Sequence, residues 1–176
     1  MIIAISGKPG AGTSTIAKKL AEKLGSDYFS PGHFFKEHSE GKETQQALDV
    51  WKTRRGSSRS FHELIDRMQK ERAKDGNVVI CGKLSIHFLK DVADMKIWID
   101  CSLDERAKRS AKRDKIGLEK AKRRIKERER IETEEWKRIY GFDRSKQKEI
   151  ADLVIDSTGL TEKETLDRIL KELDNL

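Results

Sequence analysis

A glycine-rich turn between an apolar strand and an amphipathic helix constrains this chain more than any other stretch. It reads Gly7-Lys8-Pro9-Gly10-Ala11-Gly12-Thr13-Ser14. Before it, Ile2-Ile3-Ala4-Ile5-Ser6 is short, apolar and β-branched. After it, Ser14 to Leu24 carries apolar residues at helical spacing, so strand, loop and helix follow in the order that anion-binding loops require. The glycines let backbone amides converge on one point, and the N-terminus of the next helix adds its partial positive charge, a setting suited to phosphate. A plain glycine turn would satisfy the same connectivity, but eight residues in register favour phosphate. Gly7, Lys8, Pro9, Gly10, Ala11, Gly12, Thr13, Ser14 and Thr15 are therefore the candidate phosphate contacts, with Ser14 where a hydroxyl would hold Mg²⁺. One position departs from the pattern. The lysine that ordinarily follows the β- and γ-phosphates during transfer is Thr13, and Lys8 is the nearest residue that could swing a charge inward; a solvated loop lysine is the competing reading.

The rest of the chain extends that unit into a layered fold. Further strands are expected at Asp27–Ser30, Asn77–Cys81, Met95–Asp100 and Asp152–Asp156, each separated by helical stretches, which implies right-handed crossovers and a parallel sheet. The expected architecture is an α/β three-layer α/β/α sandwich with a five-stranded parallel sheet. The 176 residues suit one domain with a single sizeable core. That core is expected over 1–32, 75–113 and 141–176, with helical insertions at about 33–74 and 114–140. Ligands in such sheets lie beyond the carboxyl ends of the strands, so Ser6-Gly7, Ser30 to Gly32, Cys81 to Lys83 and Cys101 should ring one site. No apolar run is long enough to span a bilayer and the N-terminus lacks signal-peptide architecture, so a cytoplasmic protein is expected. Cys81 and Cys101 read as small core residues.

Charge is concentrated. The formal net charge is +7, and between Arg106 and Arg130 there are 13 Lys or Arg against four acids. Such a stretch can hold nucleic acid, surround a charged small ligand or solvate a helix face. Exposed aromatics for base stacking are not interleaved with it, Trp136 and Tyr140 being the only ones near, which argues against nucleic acid. Arg106, Arg109 and Arg113 fall three and four apart and share one helix face, so they can approach a common phosphate cluster. The second insertion is where a phosphotransferase would place a closing lid that excludes water. The stretch Val50 to Arg59 has four basic residues and no acid, so Arg54 and Arg55 are candidate grips for an acceptor phosphate, or a solvated loop. The four histidines lack metal-ligand spacing, and Asp100 is the candidate acid for a metal's water.

Several short motifs in fixed order carry a resemblance that spans nearly the whole length. They are Gly-x4-Gly-Thr-Ser-Thr at the loop; Tyr28-Phe29-Ser30-Pro31-Gly32 with Phe34-Phe35-Lys36; Ile65-Asp66-Arg67-Met68-Gln69-Lys70; Gly82-Lys83-Leu84; Glu105-Arg106-Ala107-Lys108-Arg109 with Arg113; Ile139-Tyr140-Gly141-Phe142-Asp143; and Asp152-Leu153-Val154-Ile155-Asp156. In these the chain resembles the archaeal-type cytidylate kinases, in the nucleoside-monophosphate kinase branch of P-loop proteins, a group that also tends to have threonine where Thr13 stands. The resemblance implies an Mg²⁺-dependent transfer of the γ-phosphoryl group of ATP to CMP or dCMP. It implies an acceptor site containing Ser30, Gly32, His33, Lys36, Arg67 and Lys83, transfer residues among Lys8, Ser14, Arg106, Arg109, Arg113 and Arg128, and Arg128 and Arg130 as lid arginines. The partners implied are small nucleotides, with the protein a monomer or weak dimer. Three positions depart from the group's pattern, all in expected acceptor or lid regions: His33 for an aspartate, Lys83 for an arginine, and Glu135 for an arginine before Trp136. Two other readings stay open at this level: a non-catalytic nucleotide-binding protein with an RNA or regulatory role, and a kinase of the same fold with another small acceptor.

Overall fold

The computed structural model describes residues 1–32, 43–53 and 58–175, with the backbone alone at 43, 44, 46, 47 and 51. Strands β1 (Ile2–Gly7), β2 (Asp27–Phe29), β3 (Val78–Cys81), β4 (Met95–Asp100) and β5 (Leu153–Asp156) form one sheet in the order β2-β3-β1-β4-β5. Every pairing is parallel, and all five expected strands are present. Along β1 the faces alternate. Ile3 and Ile5 join Ile16, Leu20, Ile97, Ile99 and Ile169 in one core, while Ala4 joins Val78, Ile80, Ile86 and Trp98 in another. This is the period-two pattern of a strand buried on both faces.

Helices α1 (Thr13–Leu24), α2 (Glu43–Lys52), α3 (Arg59–Lys74), α4 (Ser85–Phe88), α5 (Leu103–Asp114), α6 (Leu118–Tyr140) and α7 (Glu162–Leu173) complete the described elements, with a 3₁₀ turn at Arg144–Lys148. α1 buries Ile16, Ala17, Leu20 and Ala21 and shares its core with Leu166, Ile169 and Leu173 of α7. On the opposite face, Ala73 of α3 and Ile86 of α4 pack with Leu89. The result is the expected three-layer sandwich. β1 lies between β3 and β4, so the chain's crossovers part at its carboxyl end and open a crevice there.

Two helical stretches are inserted between the strands of this frame. Between β2 and β3, α3 begins at Ser58, whose hydroxyl accepts from the Phe61 amide, an N-cap of the usual kind. After β4, α5 ends at Lys115, which adopts positive φ, and α6 folds back on it as one 23-residue helix. α6 buries Ala121, Ile125, Trp136 and Ile139 together with one acid, Glu132. Cys81 and Cys101 are buried thiols. No helix among the described residues is long and apolar enough to cross a membrane.

Candidate active site

The loop after β1 is shaped for an anion. Gly10 and Gly12 adopt φ of 81° and 87°, a left-handed conformation that costs other residues roughly 1–2 kcal/mol and glycine nothing. Gly12 caps α1 without any side-chain hydrogen bond, so the first amides of the helix point at the crevice unclaimed by a capping side chain. The loop is held from behind by two arginines. Arg106, 3% exposed, donates through Nη1 to the Pro9 carbonyl at 3.1 Å and through Nε to the Cys101 carbonyl at 3.0 Å. Arg109 donates to the Ala11, Ser157 and Leu160 carbonyls, to the Ser157 hydroxyl and to Glu105, an arrangement that uses all five of its donors.

A cavity of about 440 Å³ opens in front of this loop. Gly7, Gly10 and Gly12 to Thr15 form one side, joined by Ser30 to Gly32 after β2, Cys81 to Leu84 at the end of β3, and Arg109, Arg113 and Arg128. The ring of strand ends expected from the sequence is therefore present, except for Ser6 and Cys101, which are buried and take no part in the lining. Residues that the sequence does not mark as site residues complete the wall: His62, Ile65, Asp66 and Gln69 from α3, Ser110 from α5, Glu132 and Trp136 from α6, and Glu162 from α7. Trp136 meets the His62 ring edge to face at 4.8 Å.

At the centre lies a buried charge cluster. Glu132 accepts from Arg128 Nε at 2.7 Å and Arg144 Nη1 at 2.8 Å. Arg106 meets Glu129 at 2.8 Å, with Arg144 3.9 Å away from the same carboxylate. Burial alone would raise the Glu132 carboxyl, but the charges of Arg128, Lys83 and Arg144 outweigh it and hold the group at about 2. Lys83 is in the converse position. Burial pushes its ammonium down to about 7 against the pull of Glu132, and Arg128 and Arg144 push the same way as burial. The Lys83 ammonium has no hydrogen bond or ion pair among the described residues, and it lines the cavity. An anion beside it would favour its charged form.

The expected transfer residues separate into two groups. Ser14, Arg109, Arg113 and Arg128 line the cavity; Lys8 and Arg106 do not. Lys8, expected to stand in for the missing loop lysine, instead pairs with Asp100 at 2.7 Å with 38% of its side chain exposed. Asp100, expected near a metal's water, is fixed by Lys8, by Lys148 at 2.9 Å and by the Cys101 amide. Burial would raise its carboxyl, but these three partners lower it to about 2. Arg106 sits behind the loop, not before it. Of the expected acceptor residues, Ser30, Gly32 and Lys83 line the cavity, whereas Arg67 lines a neighbouring surface pocket with Glu63, Lys70, Phe88 and Tyr140. His33, Lys36, Arg54 and Arg55 lie outside the described residues. The unmarked residues carry a partial signal: Asp66 and Gln69 sit three apart within the Ile65 to Lys70 motif, but nothing local says that α6 will come to meet them.

Magnesium takes oxygen donors and keeps several waters, so it commonly arrives on substrate phosphates. The Ser14 hydroxyl at the cavity wall fits that role. Among the described residues no group of three or more His, Cys, Asp or Glu could hold a metal without such help.

Comparison with known proteins agrees with this geometry. A family model described as the cytidylate kinase-like family matches residues 2–159. The chain is similar to the cytidylate kinase of Methanopyrus kandleri, at 36% identity covering 100% of this chain and 94% of that protein. It is similar to that of Methanocaldococcus jannaschii, at 36% identity covering 100% and 99%. Among solved structures, an uncharacterized protein from Eubacterium ventriosum superposes with a TM-score of 0.72 at 17% identity, covering 100% of this chain and 99% of the other. A shikimate kinase from Acinetobacter baumannii superposes with a TM-score of 0.65 at 16% identity, covering 99% and 93%. At those identities the structural likeness speaks for the fold.

Proposed function

The chain belongs to the cytidylate kinase-like family and is a phosphotransferase, and from that premise we propose that it transfers the γ-phosphoryl group of ATP to CMP or dCMP with Mg²⁺. One observation supports this most: one cavity joins the start of α1, with no side-chain cap, to a wall bearing Lys83, Arg128 and, on α3, hydrogen-bonding groups beside an aromatic. One side suits a polyphosphate and the other a phosphorylated ring. The donor phosphates rest on the amides of residues 10 to 15 and on the positive end of α1. The Ser14 hydroxyl would hold Mg²⁺ together with the nucleotide phosphates, and the ion would supply neutralisation of their charge. Lys83 and Arg128 stabilise charge on the equatorial oxygens as transfer proceeds, in a preorganised pocket where such contacts count most. No general base is required, because a monophosphate acceptor is already anionic; positioning and charge account for the rate.

With Lys8 held on Asp100, Lys83 is the residue best placed to replace the absent loop lysine. The test of the overall reading is a coupled ADP-release assay across CMP, dCMP, UMP, AMP, GMP and shikimate. Turnover with CMP or dCMP well above the rest is expected; a preference for shikimate or for a purine nucleotide would overturn it.

A further inference from the structure

Three acids line the cavity, and two are neutralised. Glu132 is paired with Arg128 and Arg144, and Glu162 with Lys19 at 2.5 Å. The third, Asp66, has no cation within ion-pair distance among the described residues. Its Oδ2 accepts from the Tyr140 hydroxyl of α6 and its Oδ1 from the Gln69 amide at 3.4 Å, both neutral donors. An uncompensated carboxylate works against phosphate binding by simple repulsion. Its presence in this cavity therefore calls for a ligand group that donates hydrogen bonds.

The surroundings specify the kind of ligand. His62 and Trp136 offer ring faces or edges, and Ile65 adds an apolar surface one residue from Asp66. Gln69 is already committed: its oxygen accepts from Ser85 at 2.6 Å and its nitrogen is turned to Asp66. With Ser85 wholly buried and Gln69 2% exposed, this pair fixes the carboxylate from below. Each carboxylate oxygen has two acceptor sites, so Oδ1 keeps capacity for a donor from the cavity. A flat ring with an N–H₂ on its edge satisfies both features, as a carboxylate does for the exocyclic amine of cytosine.

We propose that Asp66 selects an acceptor base that carries an exocyclic amine, with Tyr140 and Gln69 as positioning residues that aim its carboxylate. This rests on the acceptor being a nucleoside monophosphate. A keto oxygen in place of the amine, as in uracil, meets the carboxylate lone pairs with its own and is rejected. The discrimination depends on Asp66 being ionised. Burial raises that carboxyl to about 7; the Tyr140 hydrogen bond and Lys70 lower it, and Glu63 raises it. Lys70 and Arg67 lie beside it in the neighbouring pocket. Below that pH the protonated acid becomes a donor that a keto oxygen can accept, so selectivity should narrow.

The experiment compares kcat/KM for CMP, dCMP and UMP in the full chain and in Asp66→Asn, Asp66→Ala and Tyr140→Phe, with circular dichroism as the fold check. Asp66→Asn should lower CMP turnover by about tenfold to hundredfold, the discrimination of one good base contact. UMP should fall less or rise, because the amide can donate to its keto group. The CMP to dCMP ratio should stay fixed, and Tyr140→Phe should raise KM for CMP more than it lowers kcat. In the wild type the CMP to UMP ratio should shrink between pH 8 and pH 6. Equal losses on CMP and UMP, or a change confined to the CMP to dCMP ratio, would overturn the inference; the latter would place a ribose hydroxyl on Asp66. A wild type preferring UMP overturns it too. A wild type that prefers AMP to CMP while rejecting IMP, whose base has a keto oxygen and no exocyclic amine, removes the cytidylate reading yet supports the amine rule, and the two failures are thereby told apart.

Discussion

The phosphate loop and the acceptor wall share one cavity but are built in opposite ways. The loop is a backbone device: eight consecutive residues set its path, and Arg106 and Arg109 brace its carbonyls from behind. The acceptor wall is a side-chain device, assembled from α3, from the turn after β3 and from the middle of α6, pieces up to 74 positions apart in the case of Asp66 and Tyr140. A backbone site tolerates loss of a neighbouring charge, whereas a side-chain site depends on each member. The missing loop lysine is consistent with that division of labour, since the half-buried Lys83 stands across the cavity on the side that side chains control.

This contrast can be broken by substitution, beginning with the largest effect. Lys83→Met should reduce kcat by roughly 10²–10³, the usual loss for one preorganised charge donor, measured at saturating ATP and acceptor; a change below threefold would return the role to the loop side. Arg106→Met should leave the Pro9 carbonyl of the loop without its brace and Glu129 without its closest cation, costing about 3 kcal/mol, in the range for breaking a buried pair, as read from denaturant unfolding. Ser14→Ala should lower Mg²⁺-dependent turnover roughly tenfold or more, as expected for a metal contact, with nucleotide binding in EDTA little changed. Equal losses in the two assays would mean that the hydroxyl serves the fold. Lys8→Ala should change kcat/KM by about twofold at most, because the half-exposed pair it breaks is of the weak surface kind.

Titration sharpens the same division. Lys83 titrates at about 7 in the folded chain, against the ordinary lysine value of 10.5 that it regains on unfolding. Between those values the unfolded chain binds a proton that the folded chain does not, so folding stability should rise with pH across that window. Lys83→Met should flatten that slope, as followed by urea midpoints from pH 7 to pH 10.

The legibility of the sequence follows the two construction modes. All five strands and the loop can be read because their signals are local: β-branched runs, glycines at fixed offsets, and an amphipathic helix immediately after. Lys83 and Arg128, which line the cavity, are legible through motif and charge density. Pairing is what cannot be read. Lys8 reads as available for the phosphates, yet Asp100, 92 positions away, claims it, and Arg106 shares a helix face with Arg109 and Arg113 yet lies under the loop. A helical repeat says which residues share a face, not which of them the neighbouring layer covers. Asp66 belongs to a recognisable motif, but its meaning comes from Tyr140, whose approach depends on α6 folding back over α5.

That helix also has a mechanical consequence. From Glu129, which meets the brace of the phosphate loop, to Tyr140, which meets the acceptor wall, α6 runs eleven residues without interruption, about 16 Å at 1.5 Å per residue. It is a lever with one arm on each substrate. A tilt that improves the fit at one end moves the other, so the two binding events share a free energy. The affinity for acceptor measured with and without a bound donor analogue should differ by a factor that reappears, by reciprocity, when the order of addition is reversed.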